Sequence, residues 1–369
     1  MNVLHINVNY LATTLHQLMN RSIEQRGINN TIVVPCFNDE SKIIIPDSNV
    51  LIFKCFNLTD RFIYWYKQKK IRQAISNNIN INIFSLVHAH TVFTDGGIAL
   101  WLKKKYGIPY IVAVRNTDIN VFFKYLFFLR NHGRSILTNS DRIIFLSPIS
   151  KESLYSKYFS SSNYNSLNKK TVVIPNGIDT FWLENTPQKF KDDNDGVIRI
   201  IYAGVVNKNK NILSTIEACK ILIQKGHSIV YTVVGRVEDQ TILESINQYH
   251  FTNYMQAQPK EKLIELYRSN DIFVMPSYNE TFGLVYAEAI SQGLPVIYSK
   301  GQGFDGQFEN GLVGYSVEAN DTAEIANAIL RLFMRKSEMF ESCIIASKKF
   351  DWKAISRNYV NLYQEIIKE

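Results

Sequence analysis

The sequence predicts an α/β protein built as two doubly wound, parallel-sheet domains in series, and three observations carry that expectation. Its 369 residues are too many for one ordinary core and suit two domains of about 150–200 residues each. Short apolar runs of strand length alternate with longer stretches of helical period along most of the chain. The alternation breaks at residues 179–196, DTFWLENTPQKFKDDNDG, where Pro187 and an Asn/Asp-rich tail point to an interdomain linker.

In the first half, strands are expected over residues 3–8, 31–35, 50–53, 86–89, 110–114, 142–146 and 172–174. Amphipathic stretches 15–26 and 97–106 lie between them, each ending near a glycine able to cap a helix. Beyond the linker, strands are expected over 198–203, 229–235, 272–275 and 295–298, with helices over 212–224, 261–267 and 282–292. Two helices, 322–335 and 352–368, end the chain. The expected domains are 1–180 and 197–351, with the 352–369 helix crossing back to pack on the first. Apolar strands alternating with helices mean sheets covered on both faces. Ligands of such sheets bind beyond the carboxyl ends of the strands, so the cleft between the domains is the place to look for a site.

Composition narrows the function classes. Hydrophobic content of 46% with 20% charged residues describes a folded globular protein. Cys36, Cys55, Cys219 and Cys343 stand far apart, without CxxC or metal-ligand spacing, and read as buried hydrophobes in a reduced compartment. The N-terminal MNVLHINVNY lacks a basic lead and a cleavage site, and no apolar run approaches the roughly 18 residues of a spanning helix. A cytoplasmic protein is therefore expected. A net charge of +8 suits an anionic partner, either a phosphorylated small molecule or an acidic membrane surface. No helix-turn-helix, zinc-finger or RNP motif is present, so nucleic acid is not an expected partner.

The most informative stretch is PSYNETFGLVYAEAISQGLPVI, residues 276–297. An apolar strand runs into a turn and then into a helix whose first residues are expected to include Phe282 and Gly283. Free amides and the dipole at such a helix start favour phosphate, and a glycine lets backbone approach a ligand closely. Glu280 is placed by the turn. Glu288 lies eight residues on, at a similar azimuth of the helix. Taken alone, the pair also fits capping and surface chemistry; the strand–turn–glycine–helix setting favours an anion site.

Those residues, as E-x7-E, resemble the signature of the family 4 glycosyltransferases, which have the GT-B fold of two Rossmann-like domains facing across a cleft. VHAH (87–90), KKKYGIPYIV (103–112), SDRIIFLSP (140–148) and IPNGID (174–179) follow the family's order. The resemblance implies a retaining, metal-independent transferase that takes a hexose-type sugar from a nucleotide diphosphate, a UDP-sugar by frequency in the family. It needs no cofactor besides that donor. By the same resemblance, Glu280 meets the donor sugar's hydroxyls and Glu288 holds the ribose, while Thr281, Phe282, Gly283 and Leu284 offer backbone to the diphosphate. A carboxylate suits the first role, because it accepts from two hydroxyls and steadies an oxocarbenium-like centre.

In YAGVVNKNKNI (202–212), Gly204 and Lys210 match the family's phosphate-binding positions, but Val205 stands where the family has arginine. Lys210 is assigned to catalysis and Lys208 to replacing the missing charge, with a solvated polar loop as the alternative. Asn9-Tyr10-Leu11-Ala12-Thr13 replaces the family's Gly-Gly loop, and Arg115-Asn116-Thr117-Asp118 replaces its His-Gly-Thr-Asp. Arg115 thus takes the place of a cleft histidine; its guanidinium binds phosphate but is no base, and a loop-bracing pair with Asp118 is the alternative. In SKGQGFDGQFENG (299–311), Gly301 and Gly303 are expected beside the donor ribose and base. His88 and His90 flank a strand end and are given no role. Two stretches, 61–73 and 122–134, mix aromatics with cations. The 122–129 part is expected to be core, with contact to an anionic membrane and a lipid-linked acceptor as the functional alternative.

The family's use in surface polysaccharide assembly implies a glycan or lipid-linked acceptor and a place at the cytoplasmic face of the inner membrane. Two rivals stand beside this expectation: a nucleotide-sugar epimerase on the same fold, and a non-catalytic sugar-nucleotide-binding scaffold.

Overall fold

The computed structural model describes residues 1–38, 48–57, 59–60, 63–190 and 195–368. Arg61 and Phe62 of the first aromatic stretch, residues 191–194 of the expected linker and Glu369 lie outside them. The chain divides into two units, Met1–Pro175 with the C-terminal residues from Trp352, and Asn176–Asp351.

The first unit holds β1 (Asn2–Ile6), β2 (Asn29–Phe37), β3 (Val50–Phe56), β4 (Leu86–Ala89), β5 (Tyr110–Ala113), β6 (Arg142–Phe145) and β7 (Thr171–Val173). They form one sheet in the order β3-β2-β1-β4-β5-β6-β7, parallel at every pairing. Its helices are α1 (Thr14–Glu24), α2 (Tyr64–Asn78), α3 (Thr94–Tyr106), α4 (Arg130–Asn139), α5 (Pro148–Tyr158) and α6 (Ser161–Lys169). Side chains alternate across the strands, so Leu4 and Ile6 enter one core with Val87, Ile98 and Val112. Val3 enters the opposite core, with Leu86, Ile111 and the C-terminal helix residues Trp352, Tyr359 and Tyr363. Local chemistry ends the helices as read: Thr13 caps α1 through Leu15 N–H at 2.9 Å, and Gly107 closes α3 at a left-handed φ of 75°.

The second unit begins with α7 (Thr180–Glu184), capped by the Asp179 side chain. The start of the expected linker is therefore ordered: Trp182 is buried against the Tyr267 ring, which anchors it to this unit. There follow β8 (Val197–Ala203), α8 (Ile212–Gln224), β9 (Ser228–Val234), α9 (Gln240–Asn247), β10 (Thr252–Met255), α10 (Lys260–Arg268) and β11 (Ile272–Met275). After these come α11 (Leu284–Ser291), β12 (Val296–Ser299), β13 (Gly314–Val317) and α12 (Thr322–Ser347), whereas the last helix of the chain, α13 (Trp352–Lys368), belongs to the first unit. The six strands run β10-β9-β8-β11-β12-β13, parallel throughout.

Sequence reading missed β10 and β13, the two edge strands of this sheet, whose TNYM and GYSV carry little apolar signal. It also ended α12 too early. The helix continues to Ser347 because Met339, Phe340 and Cys343 extend its buried stripe at helical spacing. Among the described residues, no helix is long and apolar enough to cross a membrane.

Candidate active site

Both sheets are doubly wound, so each reverses strand order where its first strand meets the strand that follows the crossover, and loops diverge there. In the second unit that point lies between β8 and β11. Strand β11, fully buried, delivers the chain into the 276–283 turn. Gly283 ends the turn with a left-handed φ of 74°, where a Cβ would lie 2.4 Å from the Tyr286 ring. That conformation delays the helix, so α11 starts at Leu284 and both Phe282 and Gly283 precede it. Within the described residues no side chain caps α11, and of its first-turn amides Tyr286 N–H turns back to the Gly283 carbonyl at 3.0 Å.

Three loops converge on Glu280. Asn209 joins the loop after β8 to the turn: its carbonyl accepts from Tyr278 N–H at 2.9 Å and its side-chain oxygen from Asn279 N–H at 3.0 Å. Lys210 Nζ then lies 2.6 Å from Glu280 Oε2, with both side chains largely shielded. From the other side, Glu280 N–H donates to Gln302 Oε1 at 2.9 Å, and Gly303 N–H to the Glu280 carbonyl at 3.0 Å. A Cβ at Gly303 would sit 1.8 Å from the Thr281 carbonyl oxygen, so only glycine allows that approach. Thr281 N–H donates to Glu280 Oε1 at 3.0 Å. The outcome is a carboxylate and an ammonium held together beside an uncapped helix start.

Glu288 projects from α11 into an enclosed setting. Burial first, and the nearby Asp179 carboxylate second, push its carboxyl up to about 7. The Phe282 ring is buried against Phe304 and Phe350, leaving only backbone to offer. Gly204 lies at the end of β8, its N–H bonded to Val234 O at 2.9 Å. Lys208 is not drawn into the cluster: it is exposed and stands 3.8 Å from Asp239. Gly301 is exposed as well, its N–H donating to Asp305 at 2.7 Å. Asn209 and Gln302 escaped sequence reading, because nothing along the chain marks a polar side chain that bonds to a loop about 70 or 22 residues away.

The first unit places Arg115 just beyond β5. Its Nε donates to the His90 carbonyl at 3.1 Å, and burial lowers its pKa. Asp118 braces the loop through main-chain amides, accepting from Arg115, Val92 and Phe93 N–H. Burial pushes the Asp118 carboxyl up to about 6, and one buried carboxyl went unread: Asp95, pushed up to about 7 chiefly by burial. Asp95 accepts from Val8 N–H at 3.3 Å and Thr91 Oγ1 at 3.0 Å, tying the loop after β1 to α3. His88 and His90 join His5 in a buried layer, with Tyr363 OH 2.7 Å from His88 Nδ1 and Asn30 Oδ1 3.0 Å from His5 Nε2.

Two family models account for nearly the whole chain. Glycosyltransferase Family 4 matches residues 11–181, and Glycosyl transferases group 1 matches residues 184–350. The chain belongs to the family 4 glycosyltransferases. It is 32% identical over 119 residues to a D-inositol 3-phosphate glycosyltransferase of Corynebacterium kroppenstedtii, covering 31% of this chain and 26% of that protein. It is 29% identical over 224 residues to the capsular polysaccharide biosynthesis glycosyltransferase CapM of Staphylococcus aureus, covering 57% of this chain and 59% of CapM. The match thus spans about a quarter of the first of these relatives and under two thirds of the second. Among solved structures, Anabaena HepE in complex with UDP superimposes with a TM-score of 0.72 at 15% identity, over 99% of this chain and all of HepE. The chain has the GT-B fold.

Proposed function

We propose that this glycosyltransferase moves a hexose-type sugar from a nucleotide diphosphate, a UDP-sugar, to a hydroxyl of a glycan or lipid-linked acceptor, with retention and without a metal. The observation that carries the proposal is the Lys210–Glu280 pair at 2.6 Å beside the uncapped start of α11. Glu280 accepts from the sugar's hydroxyls, and Glu288 holds the ribose. Lys210 and the amides of Gly283 and Leu284 neutralise the diphosphate as it leaves. The bond from the anomeric carbon to phosphate oxygen breaks as the acceptor oxygen bonds on the same face. The acceptor's proton passes to the departing phosphate. HepE, solved with UDP, supports the base, and the likeness to CapM supports a role in surface polysaccharide synthesis.

The test is a calorimetric screen of UDP-, GDP-, ADP- and dTDP-sugars, without metal, on wild type and Glu288→Ala. Selective binding weakened by the substitution supports the donor site. Absence of binding by every donor refutes it, and rapid conversion of donor alone to an epimer moves the assignment to an epimerase.

The acceptor-side proposal includes contact with an anionic membrane. Contrary to the core expected for residues 122–129, only part of that stretch is buried: Phe123 and Leu129 are inside, whereas Tyr125, Phe127 and Phe128 are 63%, 70% and 64% exposed. Trp65 and Tyr66 of α2 are exposed too, and the Trp65 ring lies 4.6 Å from His132 of α4, linking the two stretches. Exposed rings near Lys69 and Lys124 suit an interface rich in anionic headgroups. Co-sedimentation with vesicles should rise with anionic lipid and fall in Phe127→Ser/Phe128→Ser; indifference to both removes this contact.

A further inference from the structure

Helices α2, α3 and α4 line a hollow of about 270 Å³ whose lining includes none of the residues assigned above to donor binding. Its lining holds two cations, Arg72 from α2 and Lys104 from α3, and the neutral imidazole of His132 from α4, with Trp65 and Trp101 on its walls and Gly97 at its side. Among the described residues none of the lining is acidic. The contrast with the neighbouring position is direct, since Lys103 is satisfied by Asp141 at 2.7 Å. Arg72 Nε and His132 Nε2 are both buried without a hydrogen-bond partner. The cations repel, and burial together with Arg72 and Lys104 pushes His132 down to about 4. Like charges gathered without a counter-charge, with two donors orphaned, are costly unless an anion completes them.

We propose that this hollow is a binding site for a phosphate group, held by Arg72, Lys104 and His132 between two tryptophan rings. Arg72, whose guanidinium lies 5.9 Å from the Trp101 ring, offers the planar donors that suit phosphate oxygens. A water's share of liquid is about 30 Å³, so the hollow has room for a phosphate and its ester carbons. The ester is either a soluble phosphate or the headgroup of a membrane lipid; the site itself uses none of the residues proposed for sugar transfer.

The experiment titrates the full chain with sn-glycerol 3-phosphate by calorimetry, following tryptophan emission in parallel, and with phosphatidylcholine vesicles with or without phosphatidylglycerol. Variants are Arg72→Gln, Lys104→Gln and Lys210→Gln, the last changing only the donor site; Lys104 is exposed, so its variant folds even where Arg72→Gln does not. Loss of one charge-assisted contact should weaken phosphate binding about tenfold or more in Lys104→Gln and Arg72→Gln, and leave Lys210→Gln as wild type. Binding of the soluble ester identifies a free phosphate as sufficient; binding only of phosphatidylglycerol vesicles, with the same variant dependence, identifies the headgroup. Equal binding by wild type and Lys104→Gln, or no binding of either probe, overturns the site. Donor binding measured on the same variants separates that failure from failure of the transferase proposal.

Discussion

Raising the pH from 6 to 8 should tighten donor binding, and Glu288 sets the size of the change. Its carboxyl is pushed up to about 7, first by burial and then by Asp179. A group with that pKa is about one-tenth ionised at pH 6 and about nine-tenths at pH 8. An ionised acceptor gains about 1 kcal/mol over a neutral one in a hydrogen bond, so Kd for the nucleotide-sugar should fall about five- to tenfold across that window. The assay is calorimetric titration of the donor found in the screen, at several pH values, on wild type, Glu288→Gln and Asp179→Asn. Wild type should show an inflection near 7, Glu288→Gln none, and Asp179→Asn one at lower pH, since a repelling charge is gone. Stability provides an independent arm. A carboxyl with a raised folded pKa adds stability below its unfolded value of 4.5, and that contribution is lost as pH rises through about 7. Glu288→Gln should therefore unfold less readily at pH 8, by up to about 3 kcal/mol, with little difference at pH 5. A pH dependence that survives unchanged in Glu288→Gln refutes the ribose role and the electrostatics together.

Two further outcomes are expected. Gly303→Ala places a methyl 1.8 Å from the Thr281 carbonyl, so the 299–311 loop must part from the Glu280 turn; overpacking costs about 1–3 kcal/mol, and thermal unfolding with donor titration should show lower stability and weaker binding together, whereas wild-type behaviour in both would mean the loops do not press as described. In the first unit, His5 is pushed down to about 4 and His16 to about 3 by burial, so the unfolded chain binds protons below pH 6.5 that the fold refuses, and stability falls with pH. Asp95 opposes this, because its raised pKa makes the fold take up a proton at about 7. Asp95→Asn should therefore steepen the loss of stability between pH 6.5 and 5 by up to about 1.4 kcal/mol per pH unit in urea unfolding; parallel wild-type and variant curves would sink this balance.

The central strands and the turn-to-helix placement of Glu280 and Glu288 were legible along the chain. Strands buried on both faces must be apolar throughout, so the runs at 86–89 and 272–275 match β4 and β11 residue for residue. Glu280, Gly283 and Glu288 are spaced by a single turn and helix, a local geometry that residue order encodes. The edge strands β10 and β13 were not legible, since TNYM and GYSV lack the apolar run that marks the edge strands β3 and β7. Only the folded chain brings Lys210 onto Glu280, and only it turns Lys208 away to Asp239, although a single residue separates the lysines. The same holds for Gln302 at the Glu280 amide, for the burial that raises the Asp95 and Glu288 carboxyls, and for the cations gathered between α2 and α3. Residue order determined which elements form, because period and turn chemistry act over neighbours. Tertiary structure decided which charges meet and which lose their water, because Coulomb forces and desolvation depend on distance in space.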